Sequence, residues 1–402
     1  MTELILFESS TPEDWATYKI AHGFGRIGSG TTPKSDRLEY YDGDIPWITT
    51  SELRENLISE PRQMVTQKAM RDYSVLKYYP EGTLLIALYG ATIGRMAILG
   101  IPATVNQACC ALSEPTKFDT KFVYYWLWAF RPNLISLSSG GGQPNLSQEI
   151  IKSIRIPCPG IKLQQKIAGH LDHKITQIDT LIAKKRRQIE LIKEKRTALI
   201  HEAIQEAGTA DIRIRHVADS IRRPLSRVSN NLYTPVGLYN RARGIFHKDE
   251  TYGKELGDSG FFWLKPDDLV LSGQFAWEGA VAFADEADAG CIASHRYHVL
   301  RGKPQILDTA YLYAYFTTVT GDFTLNDHSR GAAGRNRPLN IGSLLKEKIP
   351  VPPIQAQRKV SNLVYFEREF RRAIDSSIQL LDEYRSSLIT DVVSGKLPIG
   401  DL

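Results

Sequence analysis

The chain has 402 residues, 42% of them apolar and 24% charged, and this composition excludes a collagen-like or wholly disordered protein. At about 150 residues a domain, the length predicts two to three domains. The formal charge is only +5, which is mildly basic. Four cysteines are too few for a disulfide framework, and the first residues contain neither a basic nor an apolar signal segment. We therefore expect a cytoplasmic protein.

The first 160 residues predict a mixed α/β domain. Short apolar runs at residues 82–88, 96–99 and 154–157 predict strands, and the glycines of residues 90–94 predict a hairpin connection between the first two runs. The aromatic run at residues 124–130 is typical of a core helix.

Residues 161–208 predict one long helix with a heptad-like apolar seam, which Lys185 and Arg196 interrupt. The seam consists of Leu171, Ile175, Ile178, Ile182, Ile189, Ile192, Leu199 and Ala203. Residues 162–207 also hold 10 basic against 6 acidic side chains, and this excess predicts either a solvated face or a stripe near a phosphate backbone.

The chain repeats itself. Ile-Pro-Cys-Pro-Gly-Ile-Lys-Leu-Gln-Gln-Lys-Ile at 156–167 matches Ile-Pro-Val-Pro-Pro-Ile-Gln-Ala-Gln-Arg-Lys-Val at 349–360 in six of twelve positions. Glu-Lys-Arg-Thr-Ala-Leu-Ile at 194–200 matches Glu-Tyr-Arg-Ser-Ser-Leu-Ile at 383–389, an offset shorter by four residues, or about one helical turn. The order is therefore globular domain, long helix, globular domain, long helix.

The second half repeats this pattern with a domain at residues 209–353 and a long helix at 354–396. Its looser apolar stripe consists of Val360, Val364, Phe370, Ile374, Ile378, Leu381, Leu388 and Val392. Two such seams most simply bury each other as an antiparallel coiled coil; the alternative is that each helix packs on its own domain. The fold class is α+β, with two mixed α/β domains in a pseudo-twofold arrangement, separated by the two helices.

The sequence shows no complete motif for catalysis, cofactor binding or metal binding. Gly-Phe-Gly-Arg-Ile-Gly at 23–28 fits a dinucleotide fingerprint, but Ser-Gly-Thr-Thr-Pro follows and breaks the helix that this fingerprint needs. The sequence contains no phosphate loop and no Asn/Asp-Pro-Pro-Tyr/Phe motif, and its cysteines lack the spacing of a zinc site. We therefore expect a binding protein with no catalytic, cofactor-binding or metal-binding residues.

An ordered set of motifs resembles the specificity (S) subunit of type I restriction–modification enzymes. The set comprises Gly-Ser-Gly-Thr-Thr-Pro at 28–33, Tyr-Asp-Gly-Asp-Ile-Pro-Trp-Ile-Thr-Thr-Ser at 41–51, Pro-Glu-Gly-Thr-Leu-Leu-Ile at 80–86, Gly-x-x-x-Gly-Arg at 90–95, Asn-Gln at 106–107, and the proline segment at 156–167. The second half counts as a diverged copy, since it lacks the first two elements.

This resemblance implies a non-catalytic subunit with two target recognition domains, each reading one half of an asymmetric, bipartite site in double-stranded DNA. It implies two methyltransferase (M) subunits and restriction/translocase (R) subunits as partners, with S-adenosylmethionine and ATP/Mg bound by those partners, and no membrane. The domains are then residues 1–160 and 209–353, and the spacer helices are 161–208 and 354–396.

Base reading needs arginine, lysine, asparagine, glutamine, hydroxyl or apolar side chains on loops that reach the major groove. In the first domain the candidates are Lys34, Thr49, Thr50, Ser51, Tyr89, Thr92, Arg95 and Gln143, whereas Trp47 is expected in the core. In the second domain they are Arg241, Arg243, His247, Lys248, Gln274, Trp277, Arg330, Arg335, Asn336 and Arg337. Any of these arginines could instead contact phosphate, which carries no sequence information.

Three alternatives stay open. The chain could be the recognition subunit of a two-component enzyme whose single partner both methylates and cleaves DNA. It could be a stand-alone nucleotide-binding enzyme based on residues 23–28, or a coiled-coil scaffold without a DNA role.

Overall fold

A computed structural model describes residues 12–138, 144–331 and 337–397. By its internal contacts this part of the chain divides into two compact units. The first holds the residues up to Ile182 and those from Ile378 onward, and the second holds Ala183–Ser377. Each unit therefore combines a globular part with segments of both long helices.

The globular part of the first unit is a mixed α/β structure, as predicted. Its strands are β1 Ala16–Lys19, β2 Phe24–Gly28, β3 Tyr41–Ile48, β4 Asn56–Ile58, β5 Met64–Val65, β6 Leu84–Ala87, β7 Met96–Leu99, β8 Thr104–Val105, β9 Cys109–Pro115 and β10 Arg155–Cys158. Its helices are α1 Ile20–Gly23, α2 Gln67–Asp72, α3 Thr120–Ala129, α4 Arg131–Ser136 and α5 Gln148–Ser153, followed by the long helix α6 Ile161–Gln205.

The strands of this unit form a five-stranded sheet in the order β2-β9-β6-β7-β4, a three-stranded sheet in the order β5-β3-β8, and the antiparallel pair β1-β10. β6 and β7 are an antiparallel hairpin, which confirms the connection predicted at residues 90–94. The aromatic helix α3 packs on this sheet, and Phe122 and Trp126 are buried in the core between them.

The second unit repeats the plan. Its strands are β11 Ala210–Arg213, β12 Ala218–Ile221, β13 Leu232–Tyr233, β14 Val236–Leu238, β15 Ile245–His247, β16 Thr251–Tyr252, β17 Phe261–Trp263, β18 Leu269–Ser272, β19 Val281–Phe283, β20 Ile292–Ser294, β21 Tyr297–Gly302 and β22 Lys348–Val351. Its helices are α7 Ile214–Val217, α8 Thr309–Phe316, α9 Val319–Asp327 and α10 Ile341–Leu344, followed by the long helix α11 Ile354–Val393.

Equivalent strands occupy equivalent places in the two units. The pair β11-β22 corresponds to β1-β10, and the hairpin β18-β19 corresponds to β6-β7. The main sheet of the second unit has the order β12-β21-β18-β19, and α8 packs on it as α3 does in the first unit. The sequence repeat is thus a structural repeat.

Within each unit the start of one long helix packs against the end of the other. In the first unit Leu171 and Ile175 of α6 share a core with Leu388 and Val392 of α11. In the second unit Ile200 and Ala203 of α6 share a core with Ala356, Val360 and Val364 of α11. Such pairing is antiparallel, as predicted, and the same cores also contain residues of α3 and α8. Each helix end therefore packs both on the other helix and on a globular part.

The predicted seam differs in detail from the buried one. Ile200 is fully buried and Leu199 only half-buried, since a straight α-helix drifts by about 20° per heptad relative to a strict seven-residue repeat. Arg196 does not interrupt the seam: its side chain is buried and forms an ion pair with Glu367 of α11. Glu367 is buried, whereas Phe370 is half-buried and stacks on the exposed Phe366.

Each long helix is fixed at its start by a buried glutamine, at positions that match in the repeat. The side-chain oxygen of Gln164 accepts the backbone N–H of Asp119 (2.8 Å), and its amide donates to the carbonyls of Pro159 (2.8 Å) and Lys117 (3.3 Å). Gln357 makes the same three kinds of bond in the second unit, to Asp308, Pro352 and Ile306. We call these two side chains the glutamine clasps.

Candidate nucleic-acid interface

In the first unit the hairpin loop presents three of the predicted reading residues. Tyr89, Thr92 and Arg95 lie in or beside the turn Gly90–Thr92, where Gly90 and Gly94 adopt the left-handed conformation that only glycine takes without strain. The backbone N–H of Gly94 bonds to the carbonyl of Ala87 (2.9 Å), which closes the loop. Thr92 is half-buried and Arg95 is exposed.

A second segment, residues 49–51, follows β3 as predicted. The Glu52 carboxylate accepts the backbone N–H groups of Thr49 (3.1 Å) and Arg62 (2.8 Å), so this short turn is capped from inside. The hydroxyls of Thr49 and Ser51 lie 2.9 Å apart, and the Ser51 side chain is exposed. The backbone thereby holds these hydroxyls in fixed positions.

Of the three remaining expectations for this unit, one concerns a core residue, one a surface residue and one a residue outside the described ranges. Trp47 is buried, and its indole N–H donates to the carbonyl of Thr31 (3.2 Å), as expected for a core residue. Lys34 is exposed; its backbone N–H donates to the Tyr73 hydroxyl (3.1 Å), and its carbonyl accepts the N–H of Arg37 (3.1 Å). Gln143 lies outside the described residues.

In the second unit the hairpin loop between β18 and β19 contains Gln274 and Trp277, as predicted. The indole N–H of Trp277 donates to the carbonyl of Gln274 (3.2 Å), and the Arg337 guanidinium lies 5.3 Å from the centre of the Trp277 ring. Such a cation–π contact holds a flexible arginine in place without neutralising its charge. The structure thus brings together three candidates that are separated in the sequence.

A neighbouring turn presents Arg241 and Arg243 beside this hairpin. The backbone N–H groups of Arg241 and Ala242 donate to the carbonyls of Glu278 (3.0 Å) and Gly279 (2.8 Å). Both donors adopt left-handed backbone angles, φ 58° and 50°, which residues with a Cβ rarely take. The Arg243 guanidinium lies 5.1 Å from the Tyr239 ring centre.

The other candidates of this unit differ in their surroundings. His247 forms a hydrogen bond with Asp288, whose carboxylate oxygen lies 2.8 Å from Nε2. Arg330 forms an ion pair with Asp327, with Nη2 2.5 Å from the carboxylate oxygen. Lys248 is exposed. Arg335 and Asn336 lie outside the described residues.

Two acidic residues that the sequence patterns did not single out lie beside these loops. Glu55 pairs with Arg95, and Glu278 accepts a hydrogen bond from the side chain of Asn240. Neither belongs to a motif, and their positions depend on tertiary contacts between loops. For Glu278 the sequence does contain a signal, because this residue follows Trp277 directly and lies inside the predicted hairpin loop.

Two of the buried cysteines are poor nucleophiles. Burial raises the pKa of the Cys110 thiol to about 12 and that of Cys158 to about 11, so these thiols stay protonated and weakly reactive near neutral pH. Among the described residues, no group of three or more histidine, cysteine or acidic side chains is arranged to hold a metal ion. No helix in the described ranges combines the length and the apolar character needed to cross a membrane.

Known proteins resemble this chain in sequence. Residues 12–191 and 224–378 match the family model of the type I restriction modification DNA specificity domain. The MjaIX specificity subunit of Methanocaldococcus jannaschii is 33% identical over 46% of this chain and 42% of that protein. The EcoR124I/EcoR124II specificity subunit of Escherichia coli is 24% identical over 45% and 46%, so each alignment spans less than half of that relative. The MjaVIII specificity subunit of M. jannaschii is 21% identical over 97% of this chain and 95% of that protein.

Solved structures resemble it in fold. A chain of a type I R-M system, solved to explain complex assembly and conformational transition, superposes with a TM-score of 0.63 at 14% identity, covering 97% of this chain and all 100% of that one. The S subunit from M. genitalium gives a TM-score of 0.50 at 15% identity, over 96% and 98%. Because the family model matches both halves and well over half of the residues, this chain belongs to the type I restriction modification DNA specificity family.

Proposed function

We propose that this chain is the non-catalytic specificity subunit of a type I restriction–modification complex, and that each unit reads one half of a bipartite, asymmetric DNA site. One observation carries the proposal: two units of the same plan present unlike side chains at the same hairpin. The first presents Tyr89, Thr92 and Arg95, and the second presents Gln274 and Trp277 with Arg337. Like frameworks with unlike loops are suited to two different half-sites.

Methylome sequencing of a strain that carries this gene and its methyltransferase partner tests the proposal. We expect methylated adenines in a site with two unlike half-sites and a fixed gap. A palindromic site, or no methylation that depends on this gene, would contradict the proposal. Neighbouring genes distinguish the two-component alternative, in which one fused partner replaces separate methyltransferase and translocase subunits.

The partners and cofactors follow from the same proposal. Two methyltransferase subunits bind S-adenosylmethionine, and restriction subunits bind ATP and Mg²⁺, all in the cytoplasm. The exposed candidates Lys34, Ser51, Lys248, Arg241 and Arg243 supply positive charge or hydroxyls for DNA. Binding that uses phosphate contacts weakens steeply as salt concentration rises, so affinities are to be compared at one ionic strength.

Arg337→Ala is expected to reduce the preference for cognate over scrambled DNA by about ten- to a hundredfold, because a base-reading arginine is worth about that much discrimination. The measurement is a titration of labelled cognate and scrambled duplexes with the complex at fixed salt. Arg215→Ala is the matched control, since its side chain on α7 bonds to His216. An equal loss on both duplexes would instead assign Arg337 to phosphate contact.

A methyltransferase subunit is proposed to dock on α11, where Phe366 is 52% exposed and stacks on Phe370 with ring centres 5.5 Å apart. Exposed aromatic pairs of this kind are typical of protein interfaces. Phe366→Ser is expected to lower co-purification of the methyltransferase subunit at least about tenfold. Asn362→Ser, on the same helix and also exposed, is the control. Retained co-purification of the Phe366 variant would exclude this surface.

A further inference from the structure

An acidic residue joins the hairpin of each unit to the neighbouring turn. In the first unit it is Glu55, whose backbone is left-handed (φ 55°) and whose N–H donates to the carbonyl of Met96 (2.8 Å), the first residue of β7. A residue with a Cβ is strained in the left-handed conformation, so the tertiary contacts of Glu55 are needed to maintain its backbone there. The Glu55 side chain is only 12% exposed, and charged groups are seldom this buried unless they are paired.

The carboxylate of Glu55 binds two arginines. One oxygen lies 3.3 Å from Nη1 of Arg95, at the end of the hairpin loop, and the other accepts from Nη2 of Arg131 on α4. The Arg95 side chain remains 46% exposed. Glu55 therefore fixes one edge of the Arg95 guanidinium while the remainder of the side chain stays accessible.

In the second unit an acidic residue also links the hairpin to a neighbouring turn, but through an amide. The acidic residue, Glu278, lies on the hairpin, and its carboxylate accepts from the side-chain amide of Asn240 on the neighbouring turn. Its backbone carbonyl accepts the N–H of Arg241, whose φ is also positive. In the first unit the acid is on the turn and the arginine on the hairpin; in the second the acid is on the hairpin and the arginines are on the turn.

We propose that Glu55 and Glu278 are positioning residues for base reading, each acting on the half-site of its own unit; this rests on the proposed DNA-reading function. A free arginine samples many rotamers, and fixing it before DNA arrives lowers the entropy lost on binding and narrows the bases it can contact. Arg95 is the residue that Glu55 positions, and the turn of Arg241 and Arg243 is the segment that Glu278 positions.

The test compares three variants of the full complex: Glu55→Ala, Glu278→Ala and the control Glu114→Ala. Glu114 shares the left-handed backbone of Glu55 (φ 58°) and is exposed at the end of β9. Methylation is measured on substrate libraries randomised in one half-site at a time. Glu55→Ala is expected to relax discrimination about tenfold at a base of one half-site, and Glu278→Ala at the other half-site only.

The outcomes separate the alternatives. Relaxation confined to one half-site by each variant, with the control unchanged, supports the inference. Equal loss at both half-sites with a lowered melting temperature, or no relaxation, overturns it and leaves DNA reading intact as the proposed function. If the wild-type complex itself shows no bipartite site, the proposed function fails, and this inference fails with it.

Discussion

Replacing Gln164 by leucine is expected to lower the free energy of unfolding of the first unit by about 3 kcal/mol. Leucine fills the space but leaves the N–H of Asp119 and the carbonyls of Pro159 and Lys117 without their partner, at about 1 kcal/mol for each hydrogen bond. For a unit of this size that corresponds to a fall in melting temperature of about 6–12 °C. Calorimetry of the full chain would measure the fall in melting temperature, and hydrogen exchange would show whether the loss of stability lies in the first unit.

The neighbouring Gln165→Leu is the matched control, because Gln165 is exposed and its replacement should change stability by less than about 0.5 kcal/mol. Gln357→Leu should reproduce the effect in the second unit, with faster exchange of α8 instead of α3. If Gln164→Leu and Gln165→Leu were equally stable, the glutamine clasp at Gln164 would contribute nothing to the stability of the first unit.

Replacing Glu367 by alanine is expected to destabilise the second unit by about 3–5 kcal/mol. The change leaves Arg196 buried, with only 8% of its side chain exposed, and without its carboxylate partner. Arg371, which bonds the other Glu367 oxygen at 3.0 Å, would also lose its partner. Urea unfolding of the full chain, at low and high salt, is the measurement, and the loss should persist in high salt because the pair is buried.

A double variant separates charge from packing. Arg196→Met with Glu367→Leu removes both charges and should recover most of the stability that Glu367→Ala loses. Glu369→Ala, at an exposed position two residues further along α11, is the control. If the double variant were as unstable as Glu367→Ala, the loss would reflect packing of the aliphatic chains and not an unpaired charge.

The repeat predicted much of this architecture. The matching segments at 156–167 and 349–360 predict two long helices, which the structure has at 161–205 and 354–393. Their apolar spacing predicts that they pair, and the order of domains and helices favours the antiparallel orientation. The apolar runs at 82–88 and 96–99 predict a hairpin because the glycines between them are typical of a turn, and the structure has that hairpin. These features depend on local spacing, which a sequence displays directly.

The features that were missed depend on partners far apart in the chain. Arg196 interrupts an apolar seam in the sequence, and only its pairing with Glu367, 171 residues away, shows why it is tolerated there. The same holds for Glu55 and Arg95, since an acid and an arginine 40 residues apart carry no pattern. The positive φ angles at Arg241 and Ala242 are likewise set by the hairpin against which they pack.

The core of the first unit is completed by Leu388, Ile389, Val392 and Val393, which come about 210 residues after Leu171 and Ile175 of α6. At a ribosomal rate of about 5–20 residues per second, the earlier part of this core waits roughly 10–40 s for these side chains during synthesis. Over that interval Leu171 and Ile175 lack their final covering, and exposed apolar surface of this kind is prone to aggregation. In the second unit the corresponding interval is shorter, since Ile200 and Ala203 are covered by Ala356 and Val360 about 160 residues later, and all of the intervening residues belong to that unit.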